Sequence, residues 1–375
     1  MGFITKEGLE ELKRYKYVSG GYSFMDKIMN HWWEFFVKLI PLSVAPNLIT
    51  LIGLIINISG SAAYLYYDLT FTRLVPQWVY FYAGFCAFMY QTLDAVDGKQ
   101  ARRTQTSSPL GQLFDHGCDA VCVFFGLINF LQAVRTGCEW PMFAIMFSLT
   151  LTFYTQQWEE YHAHILRTFI GWFGVTEGIL VTLTIIFSVG ITNGGIAVWT
   201  LPEMLPFVPW PAAMVSLTLP KMMAAIAVYN ALSYSYQNVK FALEKTSETK
   251  TDALLGLMPI VLFYGEIIVL FQTQWAWDYP SLAILLVFPS YCLMTCRHII
   301  CSVTKMKFDW RQRNPLFFLA FLANKYLALG IPEWQIAAGV FLITLFLFMQ
   351  FVIEVIGQIT SYLNIHCLTI KKRDQ

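Results

Sequence analysis

The feature that most constrains this chain is a series of long apolar runs without ionised side chains. Residues 48–67 and 78–93 contain no Asp, Glu, Lys or Arg. A run of about 20 apolar residues is long enough to cross the hydrocarbon layer as an α-helix, which satisfies its own backbone there. Charged residues make up only 13% of the chain, well below the share in soluble domains. The sequence therefore predicts an all-α integral membrane protein.

We count about ten such segments, which would be transmembrane helices centred on residues 48–67, 77–97, 111–134, 141–162, 176–196, 220–241, 252–272, 279–300, 314–331 and 335–360. The chain then has two parts: a cytosolic N-terminal segment, residues 1–45, and a single transmembrane domain, residues 46–375. In the N-terminal segment apolar residues recur at helical spacing between charged ones. This pattern predicts an amphipathic helix lying on the membrane surface, with an apolar side formed by Phe24, Ile28, Trp32, Phe35 and Phe36.

The distribution of positive charge predicts the orientation. If ten spans alternate from a cytosolic N-terminus, most of the 25 Lys and Arg residues fall in cytosolic segments, as the positive-inside rule requires. The long segment 192–220 on the opposite side contains neither Lys nor Arg. Both termini are therefore predicted to be cytosolic. The sequence contains no basic patch with interleaved aromatic residues of the kind that would indicate a nucleic-acid partner.

Four carboxylates interrupt the apolar pattern within a short stretch of the chain. Residues spaced i, i+3, i+4 and i+7 form one stripe on a helix, here Asp94, Asp97, Gly98 and Ala101. A second stripe with spacing i, i+4 and i+8 contains Gly111, Asp115 and Asp119. Ser108 and Pro109 between them are typical of a helix cap and first turn. Two consecutive spans are thus expected to meet at the cytosolic surface with two acids each.

Carboxylates this close repel one another, so they must take up protons or hold cations. Their oxygens are hard ligands that suit Mg²⁺, Ca²⁺ or Mn²⁺. Two divalent ions would match the formal charge, and a two-metal site suits displacement at phosphorus, with Arg102 as a bidentate phosphate donor. The small side chains of both stripes leave room for a ligand or for close helix contact. The alternative is that the acids pair with Lys99, Arg102 and Arg103 at the membrane surface.

The spacing resembles the signature of the CDP-alcohol phosphotransferase family, D-x-x-D-G-x-x-A-R-x(8)-G-x-x-x-D-x-x-x-D, at every fixed position. More of the chain resembles the eukaryotic choline/ethanolamine phosphotransferases within that family. The matching segments are Tyr15-Lys16-Tyr17, Ala45-Pro46-Asn47-Leu48-Ile49-Thr50, Asp97-Gly98-Lys99-Gln100-Ala101-Arg102-Arg103-Thr104, Pro109-Leu110-Gly111, Leu113-Phe114-Asp115-His116-Gly117-Cys118-Asp119 and, less specifically, Trp158-Glu159-Glu160-Tyr161.

This resemblance implies that the hydroxyl of diacylglycerol attacks the β-phosphate of CDP-choline or CDP-ethanolamine, giving phosphatidylcholine or phosphatidylethanolamine and CMP. It also implies two Mg²⁺ or Mn²⁺ ions, a ten-helix fold, a homodimer, and residence in the endoplasmic reticulum or Golgi membrane. By matching position, the metal ligands would be Asp94, Asp97, Asp115 and Asp119. The nucleotide would approach the helices at Gly98, Ala101 and Gly111. Arg102 would bind its phosphate, and Asn47 would help hold the donor at the start of the first transmembrane helix.

The base that takes the lipid proton is predicted to be His116, because a positioned histidine is the usual proton acceptor. Similar proteins commonly carry Glu one helical turn before this histidine, where this chain has Gln112. An amide can orient the imidazole but does not stabilise its charged form. His116 would then act alone, or Asp119 would accept the proton.

The segment Trp158-Glu159-Glu160-Tyr161 combines carboxylates with aromatic rings. Such a set suits an ammonium head group, although Trp and Tyr also anchor helices at the membrane interface. Alternatives for the whole chain are a CDP-alcohol phosphotransferase with another alcohol pair, an intramembrane prenyltransferase, and an ion-coupled transporter. Prenyltransferase acidic motifs normally lie far apart, and transporter acids tend to lie at the midplane of broken, repeated helices.

Overall fold

The computed structural model describes residues 2–15, 20–171 and 173–371, and helices dominate these ranges. The helices are α1 (Lys6–Leu12), α2 (Phe24–Leu39), α3 (Pro46–Tyr67), α4 (Gln77–Thr104), α5 (Pro109–Ala133), α6 (Trp140–Ala163), α7 (Val175–Ile191), α8 (Gly195–Val198), α9 (Leu201–Met204), α10 (Leu219–Lys245), α11 (Lys250–Leu255), α12 (Met258–Leu270), α13 (Gln274–Asp278), α14 (Pro280–Thr304), α15 (Leu319–Tyr326) and α16 (Glu333–Leu363). Strands β1 (Phe169–Ile170) and β2 (Phe173–Gly174) pair antiparallel, and two 3₁₀ turns cover Ala212–Met214 and Asn314–Phe318.

In the described part of the chain, five helical stretches are long and apolar enough to cross a membrane: Pro46–Tyr67, Pro109–Ala133, Lys250–Leu270, Pro280–Thr304 and Glu333–Leu363. Helices α4, α6 and α10 cover three more predicted spans with 28, 24 and 27 residues. Helix α7 is apolar but shorter, at 17 residues. The prediction of a helical membrane protein is confirmed, whereas the count of ten spans stays a prediction.

The predicted segment 314–331 differs most from its expected form. It contains a 3₁₀ turn and the 8-residue helix α15, rather than one helix across the whole range. Helix α15 stops before Ala328 and Gly330, which have positive φ angles of 51° and 68°. Left-handed residues end an α-helix, so this segment is too short to span a bilayer as a single straight helix.

The predicted N-terminal amphipathic helix corresponds to α2. Its first turn is closed by a reciprocal capping box between Ser23 and Asp26, which satisfies backbone N–H groups at the helix start. Trp33 and Val37 are buried against α3 and α4, in a cluster with Ile49, Leu93 and Val96. The opposite side leaves large apolar side chains exposed, namely Phe24, Ile28, Phe35 and Leu39. One side of the helix thus packs against α3 and α4 and the other exposes apolar side chains, while its position on a membrane surface stays a prediction.

Helix α14 forms the centre of the bundle and packs against α5, α6 and α16. The N-terminal residues are fastened to the same end of this core. Glu11 pairs with Lys305 at 2.9 Å, and the backbone N–H of Ile4 donates to Gln358 Oε1 at 3.1 Å. These contacts bring Tyr15 beside α5.

Helices α3 and α5 are held together by buried polar contacts as well as by apolar packing. Asn57 Nδ2 donates to Cys122 Sγ at 3.1 Å, and Asn129 Nδ2 donates to Asn57 Oδ1 at 3.3 Å. Ser61 donates to the carbonyl of Phe125 at 3.0 Å. Because an unsatisfied polar group inside the bundle is costly, these bonds fix how α3 sits along α5. That register places the start of α3 beside the start of α5, where the acidic residues lie.

Candidate metal centre

The acidic stripes lie on α4 and α5, which are joined by a short polar turn. Helix α4 ends at Thr104 and is capped by Gln105, which has a left-handed φ of 55°. The next helix begins at Pro109, and the Ser108 hydroxyl accepts a hydrogen bond from the Gly111 N–H at 3.3 Å. A left-handed residue at one helix end and a cap with proline at the next are the local devices that reverse the chain. The turn therefore brings the two stripes together.

Three of the four predicted metal ligands converge. Carboxylate oxygens of Asp94, Asp115 and Asp119 all lie within 4.8 Å of one another. Asp119 Oδ1 accepts a hydrogen bond from the Tyr90 hydroxyl at 2.7 Å. Oδ1 of Asp94 and of Asp115 are buried and have no hydrogen-bond partner within the described residues. Unpartnered carboxylate oxygens in this arrangement fit a divalent cation, which prefers such oxygen ligands.

Asp97 lies beside this group rather than inside it. Asp97 is 9% exposed, and its Oδ2 accepts a hydrogen bond from the hydroxyl of Thr50 on α3. The structure thus joins α3 to the acidic cluster through a residue that the motif does not include. Thr50 follows Asn47 by three residues, so one helical turn of α3 faces both the acids and the start of α5.

The alternative that nearby cations neutralise the acids does not match the observed contacts. Lys99 Nζ bonds Asn30 Oδ1 and Glu34 Oε1, each at 2.6 Å. Arg103 donates to backbone carbonyls at the end of α2 and to Gln100 Oε1 at 2.9 Å. Within the described ranges, no Lys or Arg forms an ion pair with the four aspartates. The basic residues instead tie α4 to α2, and the negative charge of the cluster is left for another cation.

The glycines of the motif are not forced by close helix packing. A Cβ added at Gly98 would have Arg102 Nη1 as its nearest described neighbour, at 3.6 Å. At Gly111 the corresponding neighbour is Asn47 Oδ1 at 3.8 Å. These are ordinary contact distances, whereas a Cβ at Gly60 would come within 3.0 Å of Cys86 Cβ. Helix packing therefore explains the glycine at position 60 but not those at 98 and 111, which fit close approach of a ligand.

Three other predicted nucleotide contacts, Ala101, Arg102 and Asn47, lie near the same helix ends. Arg102 is exposed and Ala101 is half-buried, and both lie about one turn of α4 beyond Asp97. Asn47 is 8% exposed, and its Nδ2 lies 3.8 Å from Cys367 Sγ. Arg102 Nη1 is thus the described neighbour of Gly98, and Asn47 Oδ1 that of Gly111. Of the matching segment Tyr15-Lys16-Tyr17, Lys16 and Tyr17 lie outside the described residues.

His116 is buried, with 4% exposure. A carboxylate lies next to its imidazole, although position 112 carries Gln. That carboxylate comes from Glu160 on α6 rather than from position 112. His116 Nδ1 lies 3.7 Å from Glu160 Oε2, and Gln112 Nε2 donates to Glu160 Oε1 at 2.7 Å. The Tyr15 hydroxyl donates in turn to Gln112 Oε1. Sequence reasoning assigned Glu160 to the head group and did not connect it with the histidine.

The four residues predicted to bind an ammonium group point in different directions. Trp158 is fully buried and donates to the Ala253 carbonyl at 3.0 Å. Glu159 pairs with Arg167, and Tyr161 donates to Glu248 Oε1 at 3.0 Å. Successive residues of an α-helix are about 100° apart around its axis. The structure therefore brings only Glu160 of this segment to the acidic site.

Comparisons with known proteins all point to the same protein family. A family model described as CDP-alcohol phosphatidyltransferase matches residues 43–201, a range that includes the acidic cluster, His116 and Glu160. Choline/ethanolaminephosphotransferase 1 of Arabidopsis thaliana is 30% identical over 406 residues, covering 100% of both chains. Cholinephosphotransferase 1 of Saccharomyces cerevisiae is 31% identical over 392 residues, covering 98% of each. Cholinephosphotransferase 1 of Mus musculus is 40% identical over 198 residues, covering 52% of this chain and 48% of its own.

Proposed function

The chain belongs to the CDP-alcohol phosphatidyltransferase family, and on that premise we propose that it transfers phosphocholine or phosphoethanolamine from a CDP-alcohol to diacylglycerol. The products are phosphatidylcholine or phosphatidylethanolamine and CMP. Its relatives across plants, fungi and animals carry names for this transfer. The observation that carries the proposal is the convergence of Asp94, Asp115 and Asp119 at the adjoining ends of two consecutive helices.

The four aspartates are proposed to hold two Mg²⁺ or Mn²⁺ ions. The buried, unpartnered oxygens of Asp94 and Asp115 support this assignment, because hard oxygen ligands suit both metals. When bound, these ions would neutralise charge on the phosphates and on the leaving CMP. Thr50 and Tyr90 hold the carboxylates of Asp97 and Asp119 in place, so the protein fixes part of the site before any ligand arrives.

The donor nucleotide is proposed to enter at the mouth formed by α3, α4 and α5. Without a Cβ at Gly98 and Gly111, the pyrophosphate can approach the backbone there, and the exposed Arg102, whose Nη1 would lie 3.6 Å from a Cβ at Gly98, is a planar phosphate donor beside it. Asn47 contacts the same opening from α3. The acceptor, whose acyl chains are soluble only in lipid, reaches the carboxylates from the bilayer.

His116 is proposed to take the proton of the acceptor. The hydroxyl oxygen of diacylglycerol forms a bond to the β-phosphorus as the bond from that phosphorus to the bridging oxygen breaks. CMP leaves with the bridging electron pair, and the hydroxyl proton passes to the imidazole, a usual general base. Asp119, the other acceptor that the sequence allows, is engaged with Tyr90 and the acidic cluster. This contact favours His116.

The setting of the enzyme is proposed from charge distribution and from the family resemblance. The chain is a multi-span membrane protein, and we propose that both termini are cytosolic, which places the metal centre where water-soluble CDP-alcohols arrive. We further propose residence in the endoplasmic reticulum or Golgi membrane and assembly as a homodimer.

The proposal is tested with purified protein, diacylglycerol and Mn²⁺, with CDP-choline and CDP-ethanolamine in separate reactions. We expect release of CMP and formation of the matching phospholipid with at least one donor. A third reaction with CDP-diacylglycerol and a free polar alcohol tests a family member with a different alcohol pair. Product in that reaction alone, or in none of the three, would contradict the proposed transfer.

A further inference from the structure

Two buried polar atoms without a hydrogen-bond partner among the described residues face each other beside the metal centre. They are His116 Nδ1 and Glu160 Oε2, which lie 3.7 Å apart with side-chain exposures of 6% and 5%. A buried polar atom left without a hydrogen bond is energetically unfavourable. A single hydrogen bond from Nδ1–H to the carboxylate would satisfy both atoms, so the geometry favours their pairing.

The second oxygen of Glu160 is already fixed. It accepts a 2.7 Å hydrogen bond from the Gln112 amide, and the Gln112 carbonyl oxygen accepts one from the Tyr15 hydroxyl. An amide in this position can donate to the carboxylate and accept from the tyrosine at the same time. The contacts therefore form a line from the N-terminal segment through Gln112 to Glu160, with the free carboxylate oxygen turned toward the histidine.

We propose that Glu160 is the positioning residue for His116 and that Gln112 holds Glu160 in place. The inference rests on the proposed function, since it explains how the base of that reaction is oriented. With Nδ1–H donating to the carboxylate, the lone pair lies on Nε2, on the other side of the ring, where it can take the hydroxyl proton. The negative charge of Glu160 also stabilises the imidazolium once that proton arrives.

Glu160 lies on α6, 48 residues after its partner Gln112 on α5. A carboxylate at position 112 would reach His116 from one helical turn away on the same helix, because residues i and i+4 are neighbours. The carboxylate can therefore stand at either of two positions, provided that the other position carries the amide. Exchange of the two side chains keeps their mutual hydrogen bond and the total charge, and thus makes a direct test.

The experiment compares Glu160→Gln with the exchange variant Gln112→Glu/Glu160→Gln, using steady-state CMP release in the donor reaction of the unmodified chain. For Glu160→Gln we expect kcat to fall about 10–100-fold, the usual cost of removing an orienting partner, with KM for the CDP-alcohol within about twofold. The exchange variant should recover kcat to within about fivefold of the unmodified chain. In a His116→Ala background, Glu160→Gln should have no further effect on kcat, because the carboxylate acts through the imidazole.

Glu266→Gln is the matched control, because Glu266 is another buried carboxylate, 2% exposed and bonded to Ser290 at 2.6 Å. Its kcat should stay within about twofold of the unmodified chain. Unfolding temperatures measured on all variants separate loss of fold from loss of rate. Unchanged kcat in Glu160→Gln, or no recovery in a folded exchange variant, would overturn the inference. Failure of the proposed transfer would instead show as absent CMP release in the unmodified chain.

Discussion

Asp68 and the aspartates of the acidic cluster differ in how their carboxylate oxygens are satisfied. Asp68, just after α3, accepts five hydrogen bonds: from the Thr70 N–H and hydroxyl, from the N–H groups of Thr72 and Arg73, and from Gln132 Nε2, at 2.6–2.9 Å. In the acidic cluster, by contrast, Oδ1 of Asp94 and of Asp115 have no partner within the described residues.

The difference separates a carboxylate whose hydrogen bonds hold the fold from carboxylates whose oxygens are available to a ligand. A buried charge is tolerated when hydrogen bonds or an opposite charge compensate it. The protein supplies this compensation in full at Asp68, where the side chain closes the loop after α3 against α5. At the cluster it supplies only part, through Thr50 and Tyr90. Loss of Asp68 should therefore affect stability, and loss of a cluster residue should affect turnover.

The largest effect is expected for Asp94→Asn. Removal of one metal ligand should lower the rate of CMP release at least about a thousandfold, equivalent to about 4 kcal/mol of transition-state stabilisation. The unfolding temperature without metal should not fall, because the change also removes one repelling charge. Asp68→Asn is the control and should retain turnover. More than a tenth of normal activity in Asp94→Asn would contradict its role as a ligand.

The next effect concerns stability with and without metal. Mn²⁺ at about 100 times its dissociation constant should stabilise the folded protein by about 2.7 kcal/mol through mass action, which is measured as a rise in unfolding temperature. Asp115→Asn should lose most of this rise, whereas Asp68→Asn should keep it in full. An equal rise in both variants would place the metal elsewhere in the molecule.

A smaller effect is expected for Asp68→Asn on stability. The NH₂ group of the introduced Asn would face hydrogen-bond donors that now point at a carboxylate oxygen, and some of these bonds would be lost. We therefore expect a decrease of about 1–3 kcal/mol in the free energy of unfolding. Burial alone would raise the pKa of the Asp68 carboxyl, but hydrogen bonds from Gln132, Thr70 and the backbone outweigh it and hold that pKa below its usual value. Chemical denaturation in detergent at several pH values measures both quantities.

The sign of that pH dependence follows from the lowered pKa. A carboxyl whose pKa is lower in the folded state contributes its stability above the unfolded pKa of about 3.9, and loses it as the pH falls through the folded value. The stability difference between the unmodified chain and Asp68→Asn should thus be constant from about pH 5 to about pH 8 and shrink below about pH 4. A difference that grows on acidification would refute this account.

The comparison also shows which parts of the molecule the sequence could predict. Convergence of the acids follows from helical spacing within α4 and α5 and from the turn signals between them, both of which are local. The contacts of Thr50 with Asp97 and of Glu160 with His116 join helices that are distant in the chain, and depend on how those helices rotate on packing. The same limit applies to the segment from Trp158 to Tyr161, whose neighbours in sequence suggest one site but whose side chains point in different directions around the helix.

The shortening of α15 was missed for a similar reason. Composition alone makes residues 314–331 apolar enough to suggest a span, but left-handed backbone at Ala328 and Gly330 ends the helical region early. Glycine at position 330 was a visible signal for a helix end. Apolar composition outweighed it in the prediction because hydropathy averages over the segment, whereas a helix end is set by single residues.

The smallest effect that separates the two groups of aspartates is expected for Thr50→Val. This change removes the hydroxyl that donates to Asp97 and keeps the volume of the side chain nearly constant. Asp97 would then resemble its unsatisfied neighbours, with an orientation less well fixed toward a bound ion. We expect the Mn²⁺ concentration at half-maximal activity to rise about fivefold, equivalent to about 1 kcal/mol, with kcat at saturating Mn²⁺ within about threefold. A fall in kcat that saturating metal does not restore would instead make Thr50 part of the chemical step.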